Sequence, residues 1–195
     1  MTAQSSRPFM TVEEYLQLDR NSMDARYEYI DGQVRMLAGG SVNHSIIGVN
    51  VTSTLHRLLR GTPCRVYNSD IRVYVSETRY FYPDATVSCN ERNQGDDDTI
   101  HAPRLIVEVL SSSTEAFDRG QKFAFYRACP TIQEYVLIGS ERLSIELFRR
   151  VKNNLWMLQT FGPDDDVQLN SLDISISASA LYENVVFPEG DNQPA

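Results

Sequence analysis

At 195 residues, 42% of them hydrophobic and 23% charged, the chain has the length and balance of one globular domain with a real core. No apolar run approaches the ~18 residues of a membrane helix, and MTAQSSRPFM lacks the pattern of a secretion signal. The sequence therefore implies a cytoplasmic protein with no membrane partner.

The net charge of −8 argues against a broad electrostatic attraction to nucleic acid. Its distribution weakens the objection, because no Lys or Arg follows Lys152 while seven acids do. The part before residue 153 is close to neutral. The basic residues are 16 Arg and two Lys, Lys122 and Lys152. Cys64, Cys89 and Cys129 are odd in number and show no metal or CxxC spacing, so three reduced thiols are expected.

In chain order, TVEEYLQL (11–18) predicts a short helix, with Thr11 and Glu14 forming a capping box. ARYEYIDGQVRML (25–37) predicts two strands joined at Asp31-Gly32, a hairpin signal. After the Gly39-Gly40 break, Ser41 opens a periodic stretch that predicts a helix ending at Gly61-Thr62-Pro63. Three strand-like runs follow, at 64–75, 79–88 and 103–111, with a polar, mobile loop at 90–102. A helix is expected from about Thr114 to Ala128, then a strand at 134–140. A late hairpin at 144–150 and 155–161 turns near Asn153-Asn154, and 188–195 has the composition of a frayed end. The pattern predicts one α/β (α+β) domain over 1–195, its core at about 10–185: a mixed β-sheet flanked by helices, with hairpins at each end.

The chemistry concentrates in two strands. Leu105-Ile106-Val107-Glu108-Val109-Leu110 reads as a strand covered on both faces, and a carboxylate in its middle needs an Arg partner or a metal. Pro83-Asp84 interrupts the preceding strand pattern; Asp84 either caps a turn or faces Glu108. Two carboxylates on neighbouring strands can share a hard divalent cation such as Mg²⁺.

PD followed by a Glu in a VEV strand looks like the PD-(D/E)xK nuclease superfamily. The ordered set YEYIDG, NHS, YPDATV, LIVEVLSSST, D-x-x-x-K and EYVLI resembles, over residues 10–185, a large bacterial family of restriction-endonuclease-like proteins. The resemblance implies a restriction-endonuclease-like core, with Asp84, Glu108 and the main-chain carbonyl of Val109 as ligands of Mg²⁺, or Mn²⁺ in its place. The motif's lysine should stand at position 110, where this chain has Leu110. In this family a lysine on the next helix takes the role, and Lys122 matches it. Read from the residues alone, Lys122 could instead form a surface pair with Asp118 at i, i+4. Against that, the chain otherwise prefers Arg, and a buried Lys can lower its pKa and orient or deprotonate a water.

His44 and Glu28 also match the family's motifs: His44 reads as a phosphate-binding or acid-tuning histidine or as a helix-terminal one, and Glu28 as a further site carboxylate or as the partner of an Arg. Asp70 could support the site but reads more readily as structural. Ser111-Ser112-Ser113-Thr114 reads as a helix N-cap, and His56 and His101 show no partner. The leading expectation is a metal-dependent endonuclease acting on DNA as a homodimer. A nuclease-fold binding or regulatory module is the alternative, and RNA or another phosphodiester is a further substrate class.

Overall fold

The computed structural model describes residues 9–187, apart from residues 92, 94, 96, 97, 153 and 154. The turn near Asn153-Asn154 and the frayed end at 188–195 lie outside the described residues.

Helix α1 (Val12–Asn21) opens on the expected capping box: Thr11 Oγ1 accepts from Glu14 N at 3.2 Å and Glu14 Oε2 from Thr11 N at 2.8 Å. Strands β1 (Tyr27–Ile30) and β2 (Gln33–Met36) pair antiparallel across Asp31-Gly32. Both turn residues have positive φ, 48° and 91°, which Asp and Gly tolerate and bulkier residues do not. Helix α2 (Val42–Leu58) is capped by Ser41.

The next two strand-like runs each divide. Residues 64–75 form β3 (Arg65–Asn68) and β4 (Arg72–Ser76); residues 79–88 form β5 (Arg79–Phe81) and β6 (Ala85–Ser88). At both breaks the chain leaves one sheet for another, and in the second the break is Tyr82-Pro83-Asp84. Proline cannot donate to a ladder, so strand pairing stops there. Within the polar loop, β7 (Thr99–Ile100) pairs parallel with β4, and Asn93 is buried against Ser88 and His101. The described part of that loop is thus anchored, contrary to the expectation of mobility.

Strand β8 (Pro103–Leu110) precedes a helical stretch of three pieces: α3 (Glu115–Phe117), a π-helical turn Asp118–Lys122, and α4 (Phe123–Ala128). The loose apolar spacing in this stretch reflects the widened turn. Strands β9 (Glu134–Gly139), β10 (Ile145–Arg150) and β11 (Trp156–Phe161) continue the large sheet, so the late hairpin joins it. A second small hairpin, β12 (Asp166–Leu169) and β13 (Ile174–Ser177), and α5 (Ala178–Leu181) complete the order.

The large sheet runs β11-β10-β9-β8-β6-β3 and the other β2-β1-β5-β4-β7. Strand β8 is central and buried on both faces. Leu105, Val107 and Val109 pack with Ile47, Val51 and Leu55 of α2; Ile106 and Leu110 pack with Val73, Phe81 and Tyr126. Period-2 alternation thus commits Glu108 to the second of these faces.

Cys64 and Cys89 are joined by a disulfide, and Cys129 is free and buried. The expectation of three reduced thiols is corrected. The β3–β6 register pairs Arg65 with Ser88, which sets Cys64 beside Cys89 one step on, with Cα atoms 3.9 Å apart. Their spacing along the chain gave no hint of this.

Helix α1 is tied to the smaller sheet by a buried ion pair. The Arg72 guanidinium, 2% exposed, pairs with Asp19, which also accepts from the Tyr82 hydroxyl and, at 3.1 Å, from Tyr27 N. Arg72 Nε donates to Thr99 at 3.1 Å, and its Nη2 lies 2.8 Å from Asp98 as an ion pair without hydrogen-bond geometry. Removing Asp19 takes away the buried partner of Arg72 and leaves it only the more exposed Asp98. Asp19→Ala is therefore expected to lose about 3–5 kcal/mol of stability in urea unfolding, and Asp19→Ala/Arg72→Met less than the sum of its singles. A loss below ~1 kcal/mol in the single variant would show that water already solvates Arg72.

Candidate active site

Strand register brings the two expected acids together. Ala85 pairs with Val107, so the next residue back, Asp84, stands opposite Glu108 just before β6 begins. Asp84 Oδ2 accepts from Val109 N at 2.7 Å. His44 Nε2 lies 3.5 Å from the same oxygen. Its position is set by the first turn of α2, where its backbone N–H donates to Ser41 Oγ at 3.2 Å. Asp84 raises the His44 pKa, against the opposing effect of burial, and the Val109 carbonyl adds to the rise.

Lys122 is the centre of the cluster. Its Nζ lies 2.9 Å from Glu108 Oε1, 2.9 Å from Glu28 Oε1 and 3.6 Å from Asp118 Oδ1. All four side chains are at most 5% exposed. The Asp118–Lys122 pair is present, but buried rather than on the surface. Glu108 Oε1 also accepts from the Tyr126 hydroxyl at 2.8 Å, and Glu28 Oε1 from Tyr82 N at 3.5 Å.

The titration of these groups follows from burial and charge. Burial pushes the Glu108 carboxyl well up, with Lys122 pulling the other way; burial likewise raises Asp118. For Lys122 burial favours the neutral amine, yet attraction from Glu108, Glu28 and Asp118 outweighs it and raises the pKa. The direction is opposite to the lowered pKa that one form of its expected role needs, because three acidic side chains face its amine.

The cluster opens into a cleft of about 1160 Å³ walled by α2, the β1–β2 hairpin and the segment after β8. Asp70 is not in it; exposed, it pairs with Arg26 at 2.5 Å. Ser111, Ser113 and Thr114 line the cleft, but no side chain caps the helix at Thr114, so the serine run is not the expected N-cap. His56 lies along the α2 wall, while His101 packs beside Tyr74 at 5.0 Å between ring centres.

A family model described as "Uma2: Putative restriction endonuclease" matches residues 12–180. The chain belongs to this family. Two cyanobacterial relatives from Synechocystis are similar along nearly their whole length. "Uncharacterized protein slr1290" is 35% identical over 181 residues, covering 92% of this chain and 95% of that one. "Uncharacterized protein sll1609" is 32% identical over 178 residues, covering 89% and 100%. Among solved structures, one titled as a putative nuclease belonging to DUF820, from Anabaena variabilis, superposes with a TM-score of 0.73 at 19% identity, over 89% of this chain and 97% of that one. That likeness shows a shared fold.

In this Uma2 chain, Asp84, Glu108, Lys122, His44 and Glu28 all line the same cleft. Two residues of the site were missed. Tyr126 passes on the sequence as part of an apolar stretch, although its place four residues after Lys122 would have put both on one helix face. The sequence offers Asp118 only as a partner of Lys122, when it is one of three carboxylates around that ammonium.

Replacing that ammonium with an apolar side chain leaves the carboxylates uncompensated. Lys122→Met is expected to lose about 3–5 kcal/mol in urea unfolding at neutral pH. Lys122→Met/Glu108→Gln should recover part of it. A silent Lys122→Met would mean that the carboxylates are already protonated or solvated.

Proposed function

We propose that the protein is a Mg²⁺-dependent endonuclease that hydrolyses phosphodiester bonds in DNA, working in the cytoplasm as a homodimer whose two sites address two strands. The observation that carries this reading is the contact of Lys122 Nζ with Glu108 Oε1, beside Asp84, at the end of an open cleft.

The donor chemistry fits a hard cation. Glu28, Glu108 and Asp118 face Lys122 and Asp84 faces His44, four acidic groups beside two basic ones. Asp84 Oδ1 and Glu108 Oε2 accept no hydrogen bond from the described residues. Among the described residues no three His, Cys, Asp or Glu side chains converge on one metal position. Two carboxylates, the Val109 carbonyl and water are the hard oxygen ligands that Mg²⁺ or Mn²⁺ takes.

A bound divalent ion polarises the phosphate and lowers the pKa of a coordinated water. Asp84 and Glu108 would hold it, and the Val109 N–H fixes one Asp84 oxygen so that the other can point to it. His44 braces the same carboxylate. Lys122, charged and anchored by Glu28, donates hydrogen bonds: it orients the attacking water and stabilises negative charge on the phosphorane. A binding or regulatory module without hydrolysis draws its support from Leu110 and from the weak basic character of the chain, and the first of these weakens because Lys122 reaches Glu108 from the helix.

Supercoiled plasmid with Mg²⁺ or Mn²⁺ is expected to be cut by the wild type and left intact by Asp84→Ala. Asp84→Asn and Glu108→Gln should each also abolish the rise in melting temperature produced by the metal. Metal binding of wild-type strength in both would remove the proposed ligands.

Lys122→Arg keeps the charge, but a planar guanidinium cannot reproduce a compact ammonium among three carboxylates. Cleavage should fall on the order of 10²–10⁴-fold, measured where metal binding and folding are intact. Wild-type cleavage by this variant would leave the lysine a purely structural role.

A further inference from the structure

We infer that a nucleic-acid strand lies along the α2 wall of the cleft, its backbone crossing Gly48, while Arg35 grips a phosphate from the hairpin opposite. This rests on the nucleic-acid substrate proposed above and adds where and by what the strand is held.

Arg35 differs from the arginines that are neutralised by a carboxylate, such as Arg72, Arg79, Arg119 and Arg149. Arg35 is exposed in the cleft, and no carboxylate among the described residues pairs with it. It is the cross-strand partner of Glu28, so both side chains leave the same face of the hairpin, the face that meets Lys122. Its guanidinium lies 4.7 Å over the Phe117 ring, a cation–π seat that fixes the group without neutralising it. A positive, planar, pre-positioned fork beside a phosphodiester-cleaving centre matches a phosphate oxygen pair.

The opposite wall carries an independent observation. Gly48 stands within the 17-residue helix α2 and lines the cleft. Glycine weakens a helix interior relative to alanine, and here neither a positive φ nor crowding requires it: a Cβ at Gly48 would meet nothing within 4 Å. Gly40 shows the contrast, since a Cβ there would come within 2.7 Å of His44 Nδ1. The cleft-lining neighbours of Gly48 on α2 include the short side chains of Ser45, Thr52 and Ser53. Such a surface admits close approach of a ligand to the helix backbone; Thr52 and Ser53 donate their hydroxyls to the helix carbonyls of Gly48 and Asn50, which leaves the Ser45 hydroxyl to donate to a phosphate oxygen.

The test uses the full chain without metal, fluorescein-labelled DNA in single-stranded and duplex form, and anisotropy over a salt series. Arg35→Gln is expected to weaken binding about tenfold and to flatten the slope of log K against log salt by ~0.7 for a single strand or ~0.9 for a duplex. Gly48→Ala should raise the melting temperature by about 2–4 °C. Gly48→Met, folded at least as stably as the wild type, should weaken binding about tenfold or more by filling the wall. Arg127→Gln, on α4 and outside the cleft, is the control and should leave slope and affinity unchanged. Arg35→Gln indistinguishable from Arg127→Gln, wild-type affinity in Gly48→Met, or no DNA binding by the wild type would each overturn the inference. Binding that depends on Arg35 in a protein that never cuts DNA supports the strand path and sinks only the endonuclease reading. Cleavage with binding indifferent to Arg35 and Gly48 does the reverse.

Discussion

A single buried ammonium joins the three parts of the molecule that make the site. Lys122 binds Glu28 from the N-terminal hairpin, Glu108 from the central strand and Asp118 from its own helical turn. Each carboxylate belongs to a different element, so the hairpin, the large sheet and the helix are fixed relative to one another by one charge. The arrangement is strained electrostatically, because the carboxylates outnumber the cations that face them. Functional sites keep such imbalance when a further cation completes them, and a hydrophobic core could have joined these elements more cheaply.

The placement of Asp84 comes from chain direction instead. The chain passes from the smaller sheet into the large one at Tyr82-Pro83-Asp84 and starts pairing again at Ala85. Asp84 therefore lies at a strand end beside Glu108, with backbone geometry free to turn its carboxylate onto Val109 N. A continuous strand from 79 to 88 would have given Asp84 a ladder partner and an orientation dictated by alternation. Proline makes the acid available by ending the ladder one residue earlier. The π-turn acts similarly on the other side. It widens the helix where Asp118 and Lys122 must both look inward, and such turns recur at functional sites.

Legibility in the sequence followed the range of the forces involved. The capping box at Thr11, the Asp31-Gly32 hairpin and the buried strand around Glu108 are local, and each was readable from adjacent residues. The two acids and Lys122 came into view through the ordered family motifs, which encode contacts that spacing alone does not. What stayed hidden depends on register between distant segments. The Cys64–Cys89 disulfide needs the β3–β6 pairing, and the two divided strand runs need the knowledge that two sheets share the chain. The Asp19–Arg72 pair spans 53 residues and has no motif. The raised pKa of Lys122 required three carboxylates to be counted in space, when the sequence offered one.

The net charge of −8 and the proposed substrate become compatible once electrostatics is treated as local. Long-range attraction scales with the summed field and is screened within about 10 Å at moderate salt, so an acidic protein gains no steering toward DNA. Contact energies do not depend on that sum. A divalent ion between Asp84 and Glu108, the Lys122 ammonium and the guanidinium of Arg35 would place positive charge only where a phosphate must rest. Association would then be slow and weakly salt-dependent compared with proteins that coat the duplex in lysine. A net negative charge would also repel a duplex, so the same charge that hinders approach would disfavour binding modes that bring no phosphate to these cations.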